Sequence, residues 1–217
     1  MDIVKVYSPN LFAVRYDGDE MHIYRLVYEQ LTDEYYLRRF FESFGARISD
    51  YLINTLRYPR EEVEEYISEV NDRMIDIDEE IEEICQLIRD GSLQDFGEMF
   101  VPHSNLDIRQ LPEGGGRSAK YGTKYLPVKC WGLEGKPSLV RIYAIELSLD
   151  CYIIIYGGIK IDLDTNACPT FDREGNETTL EAEIRRSVKT VCEFLELNGI
   201  IDNDGLIQFI EEDHEDK

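Results

Sequence analysis

Positive charge is what this chain has least of. Its 23 Lys and Arg stand against 45 Asp and Glu, a formal net charge of −22, which argues against a protein that coats nucleic acid or an anionic membrane through its overall charge. Long apolar runs are also missing. The longest, Cys151 to Tyr156, is far shorter than the roughly 20 residues of a membrane-spanning helix. Met1-Asp2-Ile3-Val4-Lys5 has no basic stretch leading into an apolar one, so the expected location is the cytoplasm. The cysteines Cys85, Cys130, Cys151, Cys168 and Cys192 include no Cys-x-x-Cys pair, and His22, His103 and His214 share no ligand spacing with them. Neither a disulfide framework nor a zinc site is expected. Asp162, Asp164 and Asn166 alternate as at the start of a calcium loop, but Ala167 replaces the turn glycine and Arg173 the final Glu. No metal or other cofactor is expected.

Against this background one window stands out. Residues 117 to 160 hold seven bases, Arg117, Lys120, Lys124, Lys129, Lys136, Arg141 and Lys160, and three acids, Glu134, Glu146 and Asp150. They lie on or beside the most strand-like stretch of the chain. A basic sheet in an acidic protein faces either an external anion or the protein's own acids.

The remaining pattern is that of an α+β protein. Ile3–Tyr7 and Leu11–Tyr16 read as strands around a Ser8-Pro9-Asn10 turn. Tyr24, Val27, Tyr28 and Leu31 recur at helical spacing, and Thr32-Asp33-Glu34 opens a second helix with Leu37, Phe40, Phe41 and Phe44 on its apolar face and a break expected at Gly45. After Pro59, Val63, Ile67, Val70, Met74, Ile77, Ile81, Ile84 and Ile88 follow steps of 4 and 3, a heptad seam. Residues 61 to 99 carry 15 acids and two bases. Two partners suit the seam: a second copy of the chain, giving a homodimer through 63–88, or the preceding helix. Pro102, Pro112 and Gly114-Gly115-Gly116 mark a long loop across 100–124.

Tyr125–Trp131, Ser138–Leu147 and Cys151–Ile161 read as three strands of a curved antiparallel sheet. Gly157-Gly158 within the last suggests a bulge or a close backbone approach. The histidines all fall outside these strands. Thr178-x-x-Glu181 is a capping box for a helix with Leu180, Ile184, Val188, Val191 and Leu195 on one face, stopped at Gly199. Leu206–Ile210 forms a short amphipathic segment, and the acids from Glu211 onward read as a solvated, frayed end. The organisation expected is an α+β domain at 1–161 with a helical insertion at about 24–98, then an acidic helical extension at 162–217.

Arg141 and Tyr143, two apart on a strand, share a face, which this pattern reads as outward. A guanidinium there holds a phosphate, and a phenol stacks on a base or moves a proton. Lys129 and Lys160 on neighbouring strands add charge that stabilises a pentavalent phosphate during attack by a ribose 2′-hydroxyl, with no metal. An acidic surface that binds a basic partner or mimics nucleic acid is the competing reading.

The stretch Ser138-Leu-Val-Arg-Ile-Tyr-Ala-Ile-Glu-Leu147 with Cys151-Tyr-Ile-Ile-Ile-Tyr-Gly-Gly-Ile-Lys-Ile161, preceded by Leu11-Phe-Ala-Val-Arg-Tyr-Asp17, resembles the RelE/HigB toxin superfamily. The resemblance implies an mRNA endoribonuclease, free or ribosome-associated, held inactive by a small antitoxin. Arg141 would take the phosphate-binding role, Lys129 and Lys160 the supporting basic roles, and Tyr143 or Tyr156 the stacking or proton-transfer role. The length and negative charge depart from the small, basic toxins of that type. An acidic helix and tail could serve as a cover over the basic sheet.

Overall fold

The computed structural model describes residues 1–7, 10–51, 63–93, 96–97, 99–103, 125–130, 138–147, 151–162 and 164–215. Arg117, Lys120, Lys124 and Lys136, the glycines 114–116 and Pro59 lie outside them, as do the side chains of Ile48, Tyr51, Leu52 and Leu56. The class is α+β. Two strands open the chain, β1 (Asp2–Tyr7) and β2 (Leu11–Arg15), followed by three helices, α1 (Ile23–Thr32), α2 (Glu34–Tyr51) and α3 (Val63–Arg89). Four strands come next: β3 (Val101–Pro102), β4 (Tyr125–Cys130), β5 (Val140–Leu147) and β6 (Tyr152–Ile159). The hairpin β7 (Pro169–Phe171) and β8 (Glu177–Thr179) then leads into α4 (Leu180–Leu197) and α5 (Asn203–Glu215).

The main sheet is mixed, in the order β1-β2-β6-β5-β4-β3. The β4-β5-β6 meander is antiparallel, as its short connections require, while β2 runs parallel to β6 at Leu11–Ala13 against Tyr152–Ile154. Two adjacent glycines define the faces, because neighbouring strand residues point to opposite sides. A Cβ on Gly157 would meet Val27 of α1 at 2.6 Å, whereas one on Gly158 would meet Leu180 of α4 at 3.5 Å. Helix α1 therefore covers one face and α4 the other. Gly157 is the close approach that its sequence suggests. The register shift lies elsewhere, between Tyr143 and Ala144 opposite Tyr156 and Ile154.

Helix α3 settles against α1 and α2 on the α1 side. Val70, Met74, Ile77, Ile81 and Ile84 of the heptad seam are all at most 2% exposed. Tyr24 donates to Asp78 and Asn71 to the Thr32 carbonyl, pinning α3 to α1. The seam is thus consumed inside the chain, and a homodimer through it would have to displace α1 and α2. The acids between seam positions form the outer face. Asp33 caps α2 by accepting from the Tyr35 amide, and α2 then runs to Tyr51 without the break expected at Gly45. One glycine costs a helix only about 1 kcal/mol, and Phe40, Phe41 and Phe44 are anchored in the core.

The end of the chain corrects two expectations. The N-cap of α4 is Thr179, whose side chain accepts from the Ala182 amide; Thr178 belongs to β8. Glu181 is then free of a capping role and accepts from the Thr165 hydroxyl. Beyond Gly199, with φ of +66°, Asp202 accepts from the Gly205 amide and starts α5, which continues to Glu215 where a frayed end was expected. Leu206 is fully buried beneath it.

Candidate basic site on the sheet

Cross-strand register places three of the candidate residues in one row. Lys129 of β4 pairs with Tyr143 of β5, which pairs with Tyr156 of β6. Directly opposed residues lie about 4.5 to 5.5 Å apart at Cα, so the row crosses three strands within about 10 Å. Arg141 lies opposite Gly158, and the Lys160 amide donates to the Leu139 carbonyl at 2.7 Å, continuing the same ladder. By alternation Lys129, Arg141, Tyr143, Tyr156 and Lys160 all lie on the face that Gly158 shares with α4. The sequence-derived cluster is a cluster in space.

That face is not outward. Arg141 is 7% exposed and Tyr143 1%, while Lys129, Tyr156 and Lys160 are partly exposed. The alternation correctly identified a shared face but not what covers it: α4 follows β6 by 20 residues and returns onto it. The Arg141 guanidinium donates through Nη1 to the carbonyls of Ser138 at 2.6 Å and Val140 at 2.7 Å. Part of its hydrogen-bonding capacity is therefore directed at its own strand.

A sixth residue joins the row from the edge. The His103 amide donates to the Pro127 carbonyl at 3.0 Å, extending the β3 pairing by one residue. Its ring lies 5.5 Å from that of Tyr143, which lies 6.5 Å from that of Tyr156. His103 is 2% exposed. Sequence reading left it in an irregular loop, because a two-residue strand is too short for alternation to register. Only the isolated Val101-Pro102-His103 step before the glycine run hints at it.

The electrostatics follow from burial and like charge. Burial lowers the pKa of Lys129, and Lys160 and Arg141 lower it further. Lys160 is lowered by burial and then by Arg141, while the nearby Cys168, Asp162 and Asp164 act in the other direction. His103 is held down at about 4 by burial, Lys129 and Lys160, and is neutral near pH 7. Burial raises both Tyr143 and Tyr156, so each phenol keeps its proton. The acids of α4 do not simply neutralise this cluster. Glu181 and Glu183 are buried, yet each pairs with an arginine of its own helix, Arg185 at 2.8 Å and Arg186 at 3.1 Å. The acid-rich helix α3 lies across the sheet on the other face.

Chemically, the arrangement offers a cationic end of a sheet reached through two lysines, with aromatic rings and a neutral imidazole behind them. Among the described residues no group of His, Cys, Asp and Glu is placed to hold a metal ion. None of the described helices is long and apolar enough to cross a membrane. Compared with protein-family models, curated proteins and solved structures, the chain matches none of them.

Proposed function

We propose that this chain is a toxin-like, RNA-directed protein of RelE/HigB character, in which Lys129, Arg141 and Lys160 hold a phosphodiester and α4 covers the groups that would act on it. The observation that supports this is convergence. Cations from two strands and from the residue just past a third meet at one end of one face, although the chain as a whole carries −22; beyond the effect of burial, Lys160 and Arg141 lower the pKa of Lys129, and Arg141 lowers that of Lys160. Like charges gathered in a half-buried site are relieved by an anion. Lysine as a point charge and arginine as a planar fork both suit phosphate.

The cleavage that the resemblance implies would need no metal. A ribose 2′-oxygen attacks the adjacent phosphorus as its proton passes to neutral His103, and the bond to the 5′-oxygen breaks as the cations stabilise the phosphorane; the products are a 2′,3′-cyclic phosphate and a 5′-hydroxyl whose proton comes from water. A base with a pKa of about 4 is a weak one, so phosphate holding is expected to be stronger than turnover. Tyr143 and Tyr156, which keep their protons, serve as stacking surfaces in this reading.

The test uses a labelled single-stranded oligoribonucleotide with the intact protein in a chelator, following binding by anisotropy and cleavage on a denaturing gel. Binding that weakens in Lys129→Ala with Lys160→Ala, and growth arrest with transcript cleavage on expression without an antitoxin, are the expected results. RNA binding that is absent at low salt or indifferent to both lysines overturns the proposal. Binding without cleavage or arrest leaves the RNA-holding role and removes the endoribonuclease.

One separate observation favours a non-catalytic interaction module. With its seam buried, α3 presents Glu79, Glu82 and Glu83 to solvent. Salt-sensitive binding of a basic protein, lost on neutralising those three and unaffected by Arg141→Ala, would support that reading.

A further inference from the structure

The parallel pair in the main sheet creates a second site. Both β2 and β6 run their carboxyl ends in the same direction, but the chain leaves β2 for α1 on one face and leaves β6 for β7 and α4 on the other. Connections that part to opposite faces leave a crevice beyond the strand ends, the usual place for a ligand in open sheets with parallel strands. Here the parting begins after Ala13 and Ile154, and the Tyr16 hydroxyl bridges it by donating to the Ile155 carbonyl at 3.0 Å.

A cavity of about 250 Å³ fills the crevice. The rings of Tyr36, Tyr156 and Phe171 line it, with Asp19, Gln30, Asp172 and Arg173 as its charged and amide groups; Asp172 is already engaged by the amides of Glu174 and Asn176. A second space of about 140 Å³ shares Tyr156 and Arg173 with it. Arg173 divides the two, its guanidinium 3.8 Å from the Tyr16 ring centroid and 3.2 Å from Asp19 Oδ2. That ion pair lacks hydrogen-bond alignment. Oδ2 of Asp19 is buried and accepts no hydrogen bond within the described structure.

We infer that this crevice is a nucleobase site, taking a one- or two-ring base among the three aromatic rings with an amino group of the base donating to the Asp19 carboxylate. The size selects the class, since the volume falls below the roughly 300 to 1,000 Å³ of sites for drug-sized ligands. Aromatic rings and a guanidinium plane are the surfaces on which unpaired bases stack. A carboxylate accepts only, and the amino groups of adenine, cytosine and guanine reach it more freely than the N3–H of uracil, which is flanked by two carbonyl oxygens that a carboxylate repels. Tyr156 links the crevice to the basic row, which places a base of a bound strand beside its phosphate.

The inference deepens the RNA reading, and its test separates the two. Nucleosides carry no phosphate, so their binding does not involve Lys129 or Lys160. Titration of the intact protein with adenosine, cytidine, guanosine and uridine by calorimetry should give saturable binding, with uridine weakest. Leu26→Trp, which extends a ring into the cavity from α1, should weaken binding about tenfold or more, the effect of losing one base stack. Asp19→Asn should narrow the preference against uridine. Thermal unfolding of both variants establishes that they fold. A dinucleotide that binds more tightly than its nucleosides assigns the site to a strand-borne base, and equal affinity assigns it to a free one. Failure of all four nucleosides to bind, or binding unchanged in a folded Leu26→Trp, overturns the inference even where the lysine row binds RNA.

Discussion

Replacing Gly157 with alanine should destabilise the protein, whereas the same change at Gly158 should not. An added Cβ at Gly157 would lie 2.6 Å from Val27 Cγ1 and 3.0 Å from Ile142 Cδ1. Neither neighbour yields easily: Val27 is β-branched on a helix, with essentially one χ1 rotamer, and both residues are at most 2% exposed. Overpacking of this kind costs about 1 to 3 kcal/mol, and the reduced freedom of the unfolded chain returns about 0.4 to 1. The net is about 1.5 kcal/mol, or a Tm lower by about 3 to 6 °C in a chain of this size. At Gly158 the nearest atoms are Leu180 Cδ1 at 3.5 Å and Tyr156 Cε1 at 3.7 Å, ordinary contact distances. Only the unfolded-state term remains, so Gly158→Ala should be neutral or raise Tm by about 1 to 4 °C. Calorimetric or dichroism melts of both variants read this directly. Val27→Ala added to Gly157→Ala should recover at least about 0.5 kcal/mol relative to additivity. A Gly157→Ala protein that melts at or above wild type, or below which Gly158→Ala melts, would refute the assignment of α1 and α4 to opposite faces.

Further predictions concern the groups that hold the row and the helices in place. His103 has a folded pKa of about 4 against an ordinary 6.5, so the unfolded chain binds the proton first as pH falls. Its contribution is fully present above pH 6.5 and is lost at about 1.4 kcal/mol per pH unit down to about pH 4, about 3 kcal/mol in all. Urea titrations of wild type and His103→Phe should show that difference in slope; parallel curves would contradict it. Burial raises the Glu183 pKa, which acts in the opposite direction but is common to both proteins and cancels. Tyr24→Phe removes the hydroxyl that donates to Asp78 and should cost about 1.5 to 3 kcal/mol in chemical denaturation. A change within about 0.5 kcal/mol would mean that the α1 to α3 contact rests on apolar packing alone.

Local periodicity carried most of the architecture. The 4,3 spacing of Val70, Met74, Ile77, Ile81 and Ile84 located α3, and the alternation along Ser138–Leu147 located β5 and the shared face of Arg141 and Tyr143. What local pattern lacks is the identity of the covering element. Whether Tyr143 faces water or α4 depends on a helix some 40 residues later in the chain, and no spacing near Tyr143 encodes it. The parallel pairing of β2 with β6 is likewise non-local, and with it the crevice lined by Asp19, Tyr156 and Arg173. The β7–β8 hairpin was not read from the sequence; its three-residue strands are too short for alternation, and its turn is fixed where Asp172 accepts from the amides of Glu174 and Asn176 and Gly175 has a φ of +82°.

In the proposed RNA reading, Lys129 and Lys160 at the rim of the α4 face serve an anion, while Arg141 also serves its own strand. Lys160→Met keeps the apolar stem and removes a charge that burial and Arg141 both disfavour. Affinity for a single-stranded oligoribonucleotide, measured by anisotropy at two salt concentrations alongside Tm, tests the claim most directly. Weaker binding, a salt dependence shallower by about 0.7 in the log–log slope for the one lost phosphate contact, and an unchanged or higher Tm are expected. Unchanged RNA affinity, or a fall in Tm that accounts for the lost binding, would contradict the claim.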